Sequence, residues 1–215
     1  MRDGLGKAQA SRGRFTPATR APPHSLAFFM PLIDLLRRRR SIKKFTDRPV
    51  TRAEIETLLD AAILAPNHRL TEPWRFYVLG PEAREAYGLA LGIRKARKIE
   101  DPEASRAMRD RVAAEHRALP CMIAVAVVKS DNPEIAEEDY AAAMMGVQNI
   151  MLAAVELGLG AAIRTGGVMG DDAARAAAGV AENERIVAII NVGEPAETPS
   201  GPKKRAASEL TTWVP

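Results

Sequence analysis

The chain has 215 residues, 47% of them hydrophobic, which is enough for one sizeable core, and no apolar run approaches the ~20 residues that span a bilayer. Its formal net charge of +4 comes from residues 1–29, which hold five basic residues and one acidic residue, so the remainder is neutral with 26 of each. A neutral body gives no electrostatic reason for a nucleic-acid partner. The lone cysteine, Cys121, cannot form an internal disulfide, which suits the reducing cytoplasm.

Residues 1–29 form a basic leader that is rich in Arg, Ser, Ala and Pro. It lacks the continuous apolar segment of a secretory signal. Three interpretations stay open: a disordered tail, a targeting peptide, or sequence upstream of a true start at Met30, which opens "MPLIDLLRRRRSIKKF". We favour the tail or the later start, and we expect residues 30–215 to form a single domain.

The first elements of the body are helical. "PLIDLLRRRR" predicts a short helix, and "TRAEIETLLDAAILA" predicts a longer one, because Thr51 and Glu54 form a capping-box pattern. Apolar residues at i, i+3, i+4, i+7 and i+8 predict its buried face: Ile55, Leu58, Leu59, Ala62 and Ile63. Pro66 ends this helix, and "RFYVL" then predicts a strand.

The second half alternates helices and strands. Residues 81–119 predict two helices with a break near Asp101, "MIAVAVV" a buried strand, and residues 134–157 a long helix. The middle of that helix is apolar nearly all round, which indicates burial in a core or across a subunit interface. Cys121, beside the strand, is interpreted as a small buried hydrophobe rather than a nucleophile. A short helix near Asp171, the strand "RIVAIINVG" and an irregular tail follow, so the order indicates a layered α/β or α+β domain.

Several common sites are excluded by spacing. The "GLG" at Gly158 lacks the third glycine of a dinucleotide fingerprint and follows a predicted helix, so it is better explained as a left-handed helix end. The chain contains neither a Walker phosphate loop nor a Gly-x-Ser-x-Gly elbow. Its histidines, His24, His68 and His116, are far apart, and no Cys/His pair has zinc spacing, so no metal site is expected.

Polar and basic groups recur at the ends of the predicted elements. They are the run from Arg37 to Lys44 with Ser41, then His68, then "IRTG" from Ile163, and finally Lys203 to Arg205. Arginine forks and a hydroxyl are good phosphate ligands, and loops on a rigid frame are where binding residues concentrate. The pattern supports an anion-binding site, although a solvated basic helix end explains the first run equally well.

Four motifs in order carry a family resemblance: "RRRRSIKKF", "APNH....PWRF", "GLGAAIRTG" and "NVGEP....PKKR". Together they resemble the nitroreductase family of FMN-dependent oxidoreductases, above all its compact NAD(P)H nitroreductases, over about residues 31–214. The resemblance implies an α+β fold with a central, mostly antiparallel sheet flanked by helices. It also implies an intertwined homodimer with FMN at the interface.

The implied activity is a reaction in two halves. NADH or NADPH gives a hydride to the flavin, which then reduces a small conjugated acceptor such as a nitroaromatic or a quinone, and no side chain is assigned as an essential acid or base. Two alternatives stay open: the same fold with dehalogenating or oxidative flavin chemistry, and a non-enzymatic module that binds anions or nucleic acid.

The resemblance also assigns roles to residues by motif position. Arg39, Arg40 and Ser41 would hold the FMN phosphate and ribityl chain, and Lys203 and Arg205 would complete the phosphate clamp. Around the isoalloxazine, Lys43 is expected on the pyrimidine side and Ile163, Arg164 and Thr165 along the edge. His68 is expected to contact the flavin of its own subunit or that of the partner subunit. The nicotinamide nucleotide is assigned to Ala153, Ala154, Val155, Glu156, Leu157 and Gly158.

Two positions depart from the family pattern. Many members carry Gln immediately before the Pro-Trp pair, where this chain has Glu72, and the compact members have Trp where this chain has Ile163. Both departures bear on the substrate pocket, so the physiological acceptor and the choice between NADH and NADPH stay open.

Overall fold

The computed structural model describes residues 31–215, so the expectations for the leader at residues 1–29 and for a start at Met30 lie outside the described residues. The described part contains six α-helices and four strands. The helices are α1 (Leu32–Arg38), α2 (Arg52–Ile63), α3 (Pro81–Ala96), α4 (Pro102–Arg117), α5 (Pro133–Glu156) and α6 (Asp172–Ala177). The strands are β1 (Trp74–Val78), β2 (Cys121–Val128), β3 (Gly160–Arg164) and β4 (Glu184–Gly193), and short 3₁₀ turns span Gly167–Gly170 and Ala207–Leu210.

The four strands form one sheet in the order β1-β2-β4-β3, with every neighbouring pair antiparallel. Side chains of β2 alternate between two cores, because successive residues of a strand point to opposite faces. Ile123 and Val125 pack with α2 and α5, whereas Met122 and Ala124 pack with α3 and α6. Burial on both faces explains why this strand is continuously apolar. The predicted α+β class is confirmed.

The helix predictions are confirmed in their main features. The Thr51 hydroxyl accepts a hydrogen bond from the Glu54 backbone N–H at 3.2 Å, and the Glu54 carboxylate accepts one from the Thr51 N–H at 2.8 Å, which completes the capping box. The break at Asp101 is a helix start, since its carboxylate accepts from the Ala104 N–H at 2.7 Å. Gly158 has a φ of +73° at the end of α5, as a left-handed helix end requires.

Two details differ from the sequence expectations. Ile63, assigned to the buried face of α2, is 48% exposed at the last position of that helix. Strand β3 was not predicted, because its small residues follow the glycines that end α5. The sequence left two places open for the apolar helix α5, and the face that carries Val147, Ile150 and Ala154 is buried in the chain's own core.

No helix among residues 31–215 is both long enough and apolar enough to cross a membrane. Cys121 is buried at the start of β2, as expected, and burial raises the pKa of its thiol to about 11. A thiol with so high a pKa is a poor nucleophile near neutral pH, which agrees with a structural role.

Candidate active site

The segment after α1 covers the free edge of the sheet. Ser41 forms a parallel bridge to Ala161 of β3, and the Ile42 N–H donates to the Ala161 carbonyl at 3.1 Å. In this extended segment Ile42 is buried, while Ser41 and Lys43 on either side of it are exposed. Because side chains alternate along the segment, Ile42 anchors it, while the Ser41 hydroxyl and the Lys43 ammonium group both lie on its exposed side.

A small basic pocket lies beside this segment. Its volume is about 300 Å³, and its lining combines basic and hydroxyl groups with part of the C-terminal tail: Arg39, Arg40, Ser41, Lys43, Glu197, Pro199, Ser200 and Pro202. The Arg40 guanidinium donates to the backbone carbonyls of Arg37 and Arg39, at 2.6 and 2.9 Å, which fixes its position. Three cationic side chains against one carboxylate make this pocket a suitable site for an anion.

The C-terminal tail closes the small pocket. Lys44 pairs with Glu197 at 3.1 Å, and the Lys44 carbonyl accepts from the Ala196 N–H at 3.1 Å. At Gly201 a Cβ would lie 2.9 Å from the guanidinium of Arg40, so the tail passes directly over this arginine. Lys203 and Arg205 follow in the same tail, but both are exposed and neither lines the pocket in a single chain.

A larger cavity of about 560 Å³ adjoins the first. It lies between α3, α4, β4 and the end of β3, and Lys43 lines both spaces. Its polar and charged lining residues are Lys43, Lys95, Glu115, His116, Arg164, Thr165 and Asn191. Its apolar wall consists mainly of Tyr87, Leu91, Leu119, Val168, Met169 and Ile189. Cations therefore outnumber carboxylates in a space that is otherwise largely apolar.

Asn191 supplies an unpaired polar atom in the wall of the larger cavity. The residue is 6% exposed, and its side-chain carbonyl has no hydrogen-bond partner among the described residues. A buried acceptor without a partner costs about 1–3 kcal/mol. A bound molecule with an N–H or O–H donor would remove that cost.

His116 is a neutral imidazole in the same wall. Its Nδ1 lies 2.8 Å from the Val112 carbonyl, which can only accept, so Nδ1 carries the proton and Nε2 has the free lone pair. Burial first, and then the charges of Lys95 and Arg164, lower the pKa of His116. Its ring lies 6.3 Å from that of Tyr87, and burial raises the pKa of this phenol to about 12.

His68 lies elsewhere in the single chain. It sits in the loop after α2, where its Nδ1 is 2.9 Å from a carboxylate oxygen of Glu138 on α5, and it lines neither cavity. Arg69 binds the same carboxylate at 2.9 Å, and hydrogen bonds from His68 and then Arg69 lower the pKa of Glu138. The Thr71 hydroxyl donates to the buried Asp139, so the loop is tied to α5 at several points.

The remaining predicted residues divide between the cavities and the core. Arg164 and Thr165 line the larger cavity, whereas Ile163 is half-buried against the core between the sheet and α5. The segment from Ala153 to Gly158 forms the end of α5, and Ala154 within it is fully buried. No cluster of three or more potential metal ligands occurs among residues 31–215.

Solved structures similar to this chain define its fold class. A nitroreductase-like family protein from Bacillus cereus matches with a TM-score of 0.75 and 27% identity, over 88% of this chain and 99% of the other. A Desulfovibrio desulfuricans protein described as a "putative nitroreductase", solved in complex with FMN, matches with a TM-score of 0.66 and 27% identity, over 87% and 98% of the two chains. The chain thus has the α+β nitroreductase-like fold.

Sequence comparisons then give the family. The model of the nitroreductase family matches residues 36–194. A Bacillus subtilis relative, described as "Putative NAD(P)H nitroreductase YfhC", is 34% identical over 173 residues, which cover 80% of this chain and 89% of that protein. The Escherichia coli relative YdjA, described in the same terms, is 29% identical over 77% of this chain. The chain belongs to the nitroreductase family, as its four motifs predicted.

Proposed function

We propose that the chain is an FMN-dependent oxidoreductase that uses NADH or NADPH to reduce small conjugated acceptors such as nitroaromatics or quinones. The adjoining pair of cavities is the observation that carries the proposal. The smaller one offers arginines and a hydroxyl for a phosphate, and the larger one is wide and apolar enough for a planar ring system. The family assignment and the FMN in the Desulfovibrio desulfuricans structure support the same cofactor.

The residues present fit FMN chemically. Arg39, Arg40 and Ser41 would hold the phosphate, and Lys43, which lines both cavities, would stand between the phosphate end and the ring end. The isoalloxazine has an N–H donor and several acceptor atoms, which suits a wall with an unpaired Asn191 carbonyl and several cations. When bound, FMN supplies the hydride chemistry of the reaction.

The chain's own part is binding and electrostatics. Cationic Lys43 and Arg164 line the larger cavity, where they would stabilise negative charge that develops on a bound ring system. The apolar wall around Tyr87 and Leu91 would exclude water and orient a planar acceptor. We assign no side chain as an obligatory proton donor.

We further propose that the active form is a homodimer, in which each site draws on both chains. His68 supports this, because within one chain it lines neither cavity although its motif position assigns it to a flavin. Lys203 and Arg205 are likewise exposed, in the tail that follows the pocket residue Pro202. The nicotinamide nucleotide remains assigned to the segment from Ala153 to Gly158, and the lone buried Cys121 suits a cytoplasmic protein.

The assignment of the phosphate site is tested by FMN titration of the flavin-free protein. Arg39→Ala should weaken FMN binding by about 1.5–3 kcal/mol, the usual contribution of a hydrogen bond to a charged group. Arg106→Ala is the matched control, because Arg106 is exposed on α4 and lines neither cavity. Equal FMN affinities in the two variants would show that the phosphate does not bind at Arg39.

A further inference from the structure

The larger cavity has an excess of positive charge that the cofactor residues do not account for. Lys43, Lys95 and Arg164 line it against the single carboxylate of Glu115. Lys43 and Arg164 belong to the set assigned to FMN, but Lys95 does not. Lys95 comes from the last turn of α3 and lies near enough to His116 to affect its titration.

Lys95 is also available to a ligand. Among residues 31–215, no carboxylate lies within 4.0 Å of the Lys95 ammonium group. Arginines elsewhere, on α4 and in the loop after α2, do form ion pairs with carboxylates. The adjacent His116 is neutral at neutral pH and presents a lone pair. It therefore does not attract an anion as a second cation would, and it does not cancel the charge of Lys95. An anionic group entering the cavity would therefore find Lys95 without an internal partner.

The apolar wall limits what can carry that anionic group. Tyr87, Leu91, Leu119 and Met169 line the same space, and such a wall favours a ring or another flat hydrocarbon over a sugar or a peptide. A cavity of about 560 Å³ is within the size range of small-molecule sites and has room for a compact molecule next to a ring system. The lining thus combines an aromatic surface with a fixed cation.

We infer that this cavity selects conjugated acceptors that carry a carboxylate or a similar anionic group, and that Lys95 determines the preference. The inference rests on the proposed flavin reaction, for which it names the class of acceptor. The acceptor's ring would lie against the apolar wall, while its anionic group would pair with Lys95 at the α3 side of the cavity.

The kinetic test uses two acceptors of nearly equal size in the holoenzyme, 4-nitrobenzoate and 4-nitrobenzamide. The wild type should show a kcat/KM for the carboxylate on the order of five-fold higher, which is what one partly exposed ion pair provides. In Lys95→Met this preference should disappear, because kcat/KM should fall for 4-nitrobenzoate and stay nearly unchanged for 4-nitrobenzamide. Lys98→Met, which removes a nearby charge that does not line the cavity, should keep it.

A binding test separates this inference from the proposed reaction. Benzoate and benzamide cannot be reduced in this way, so calorimetric titration measures their affinities without turnover. Tighter binding of benzoate, weakened by Lys95→Met and by added salt, would support the inference. Equal binding of benzoate and benzamide, in a protein that takes up FMN and oxidises NAD(P)H, would overturn the acceptor class alone. A protein that takes up no FMN would overturn the proposed function instead.

Discussion

At the scale of single residues, the site is formed by a few charged side chains whose positions are fixed by their neighbours. Lys43 lines both cavities because its neighbour Ile42 is buried under β3, which fixes the direction of the segment. Arg40 is fixed by two backbone carbonyls, and His116 by one. Side chains restrained in this way lose less conformational entropy when a ligand binds.

His116 gives the fold a pH dependence whose sign follows from its environment. Its pKa in the folded chain is below the ordinary 6.5 because it is buried near two cations, so the unfolded chain takes up the proton first as the pH falls. Its contribution to stability is therefore present above pH 6.5 and is lost as the pH falls through the lowered pKa. Between pH 7.5 and 5, urea unfolding should show a larger loss of stability in the wild type than in His116→Phe. An equal loss in both proteins would contradict a neutral, buried His116.

Residue types alone predict only part of the site. Arg39, Ser41 and Lys43 are adjacent in sequence, so their pattern is visible without a structure. Lys95, His116 and Asn191 were not predicted, because each belongs to a different element and becomes a neighbour of the others only when α3 and α4 pack against β4. Nothing in the local sequence distinguishes Lys95 from the other basic residues at the end of α3.

At the scale of elements, β3 is the least predictable and the most important for the site. Its five residues are mostly small, and it pairs with β4 on one side and with the segment at Ser41 on the other. The helices were easier to predict, because capping residues and apolar periodicity are local signals. The long helix α5 was predicted as an element, but its nearly uniform apolarity could not show which face the chain covers itself.

Gly160 controls how closely the anion-binding segment approaches β3. A Cβ at this position would collide with the side chain of Ile42 and would lie 3.0 Å from Pro195, so Gly160→Ala should displace the segment that carries Ser41 and Lys43. We expect a loss of about 1–3 kcal/mol in the free energy of unfolding, together with weaker FMN binding. Urea unfolding and FMN titration measure the two effects. Gly170→Ala is the control, because a Cβ there would meet no atom within 4 Å, and equal behaviour of the two variants would refute the close-packing argument.

At the scale of the whole molecule, two helices that pack against each other, α1 and α5, both carry exposed apolar side chains. Leu32, Ile33 and Leu36 of α1 and Met145 of α5 are exposed, although the opposite face of α5 is fully covered by the chain's own core. Scattered exposed apolar residues are common on protein surfaces, and we propose that those of the two contacting helices α1 and α5 together form one surface for a second chain. That surface is where we place the proposed dimer interface.

Met145→Glu tests the interface without disturbing the chain's own core. A carboxylate buried between subunits would be strongly unfavourable, so light scattering should show the mass of a single chain, and FMN affinity should fall with it. Leu89→Glu is the matched control, because Leu89 on α3 and Met145 are both 42% exposed. If both variants remain dimers, or if the wild type is an active monomer, the interface assignment is wrong.

We propose that this fold binds FMN across its two adjoining cavities and passes electrons from a nicotinamide nucleotide to an acceptor. Visible absorption of the purified protein, recorded without oxygen, tests it most directly. We predict a yellow protein whose flavin absorption bleaches when NADH or NADPH is added and returns when a nitroaromatic or a quinone is supplied. A well-folded, colourless protein that takes up no added FMN, or a bound flavin that neither nucleotide reduces, would contradict the account.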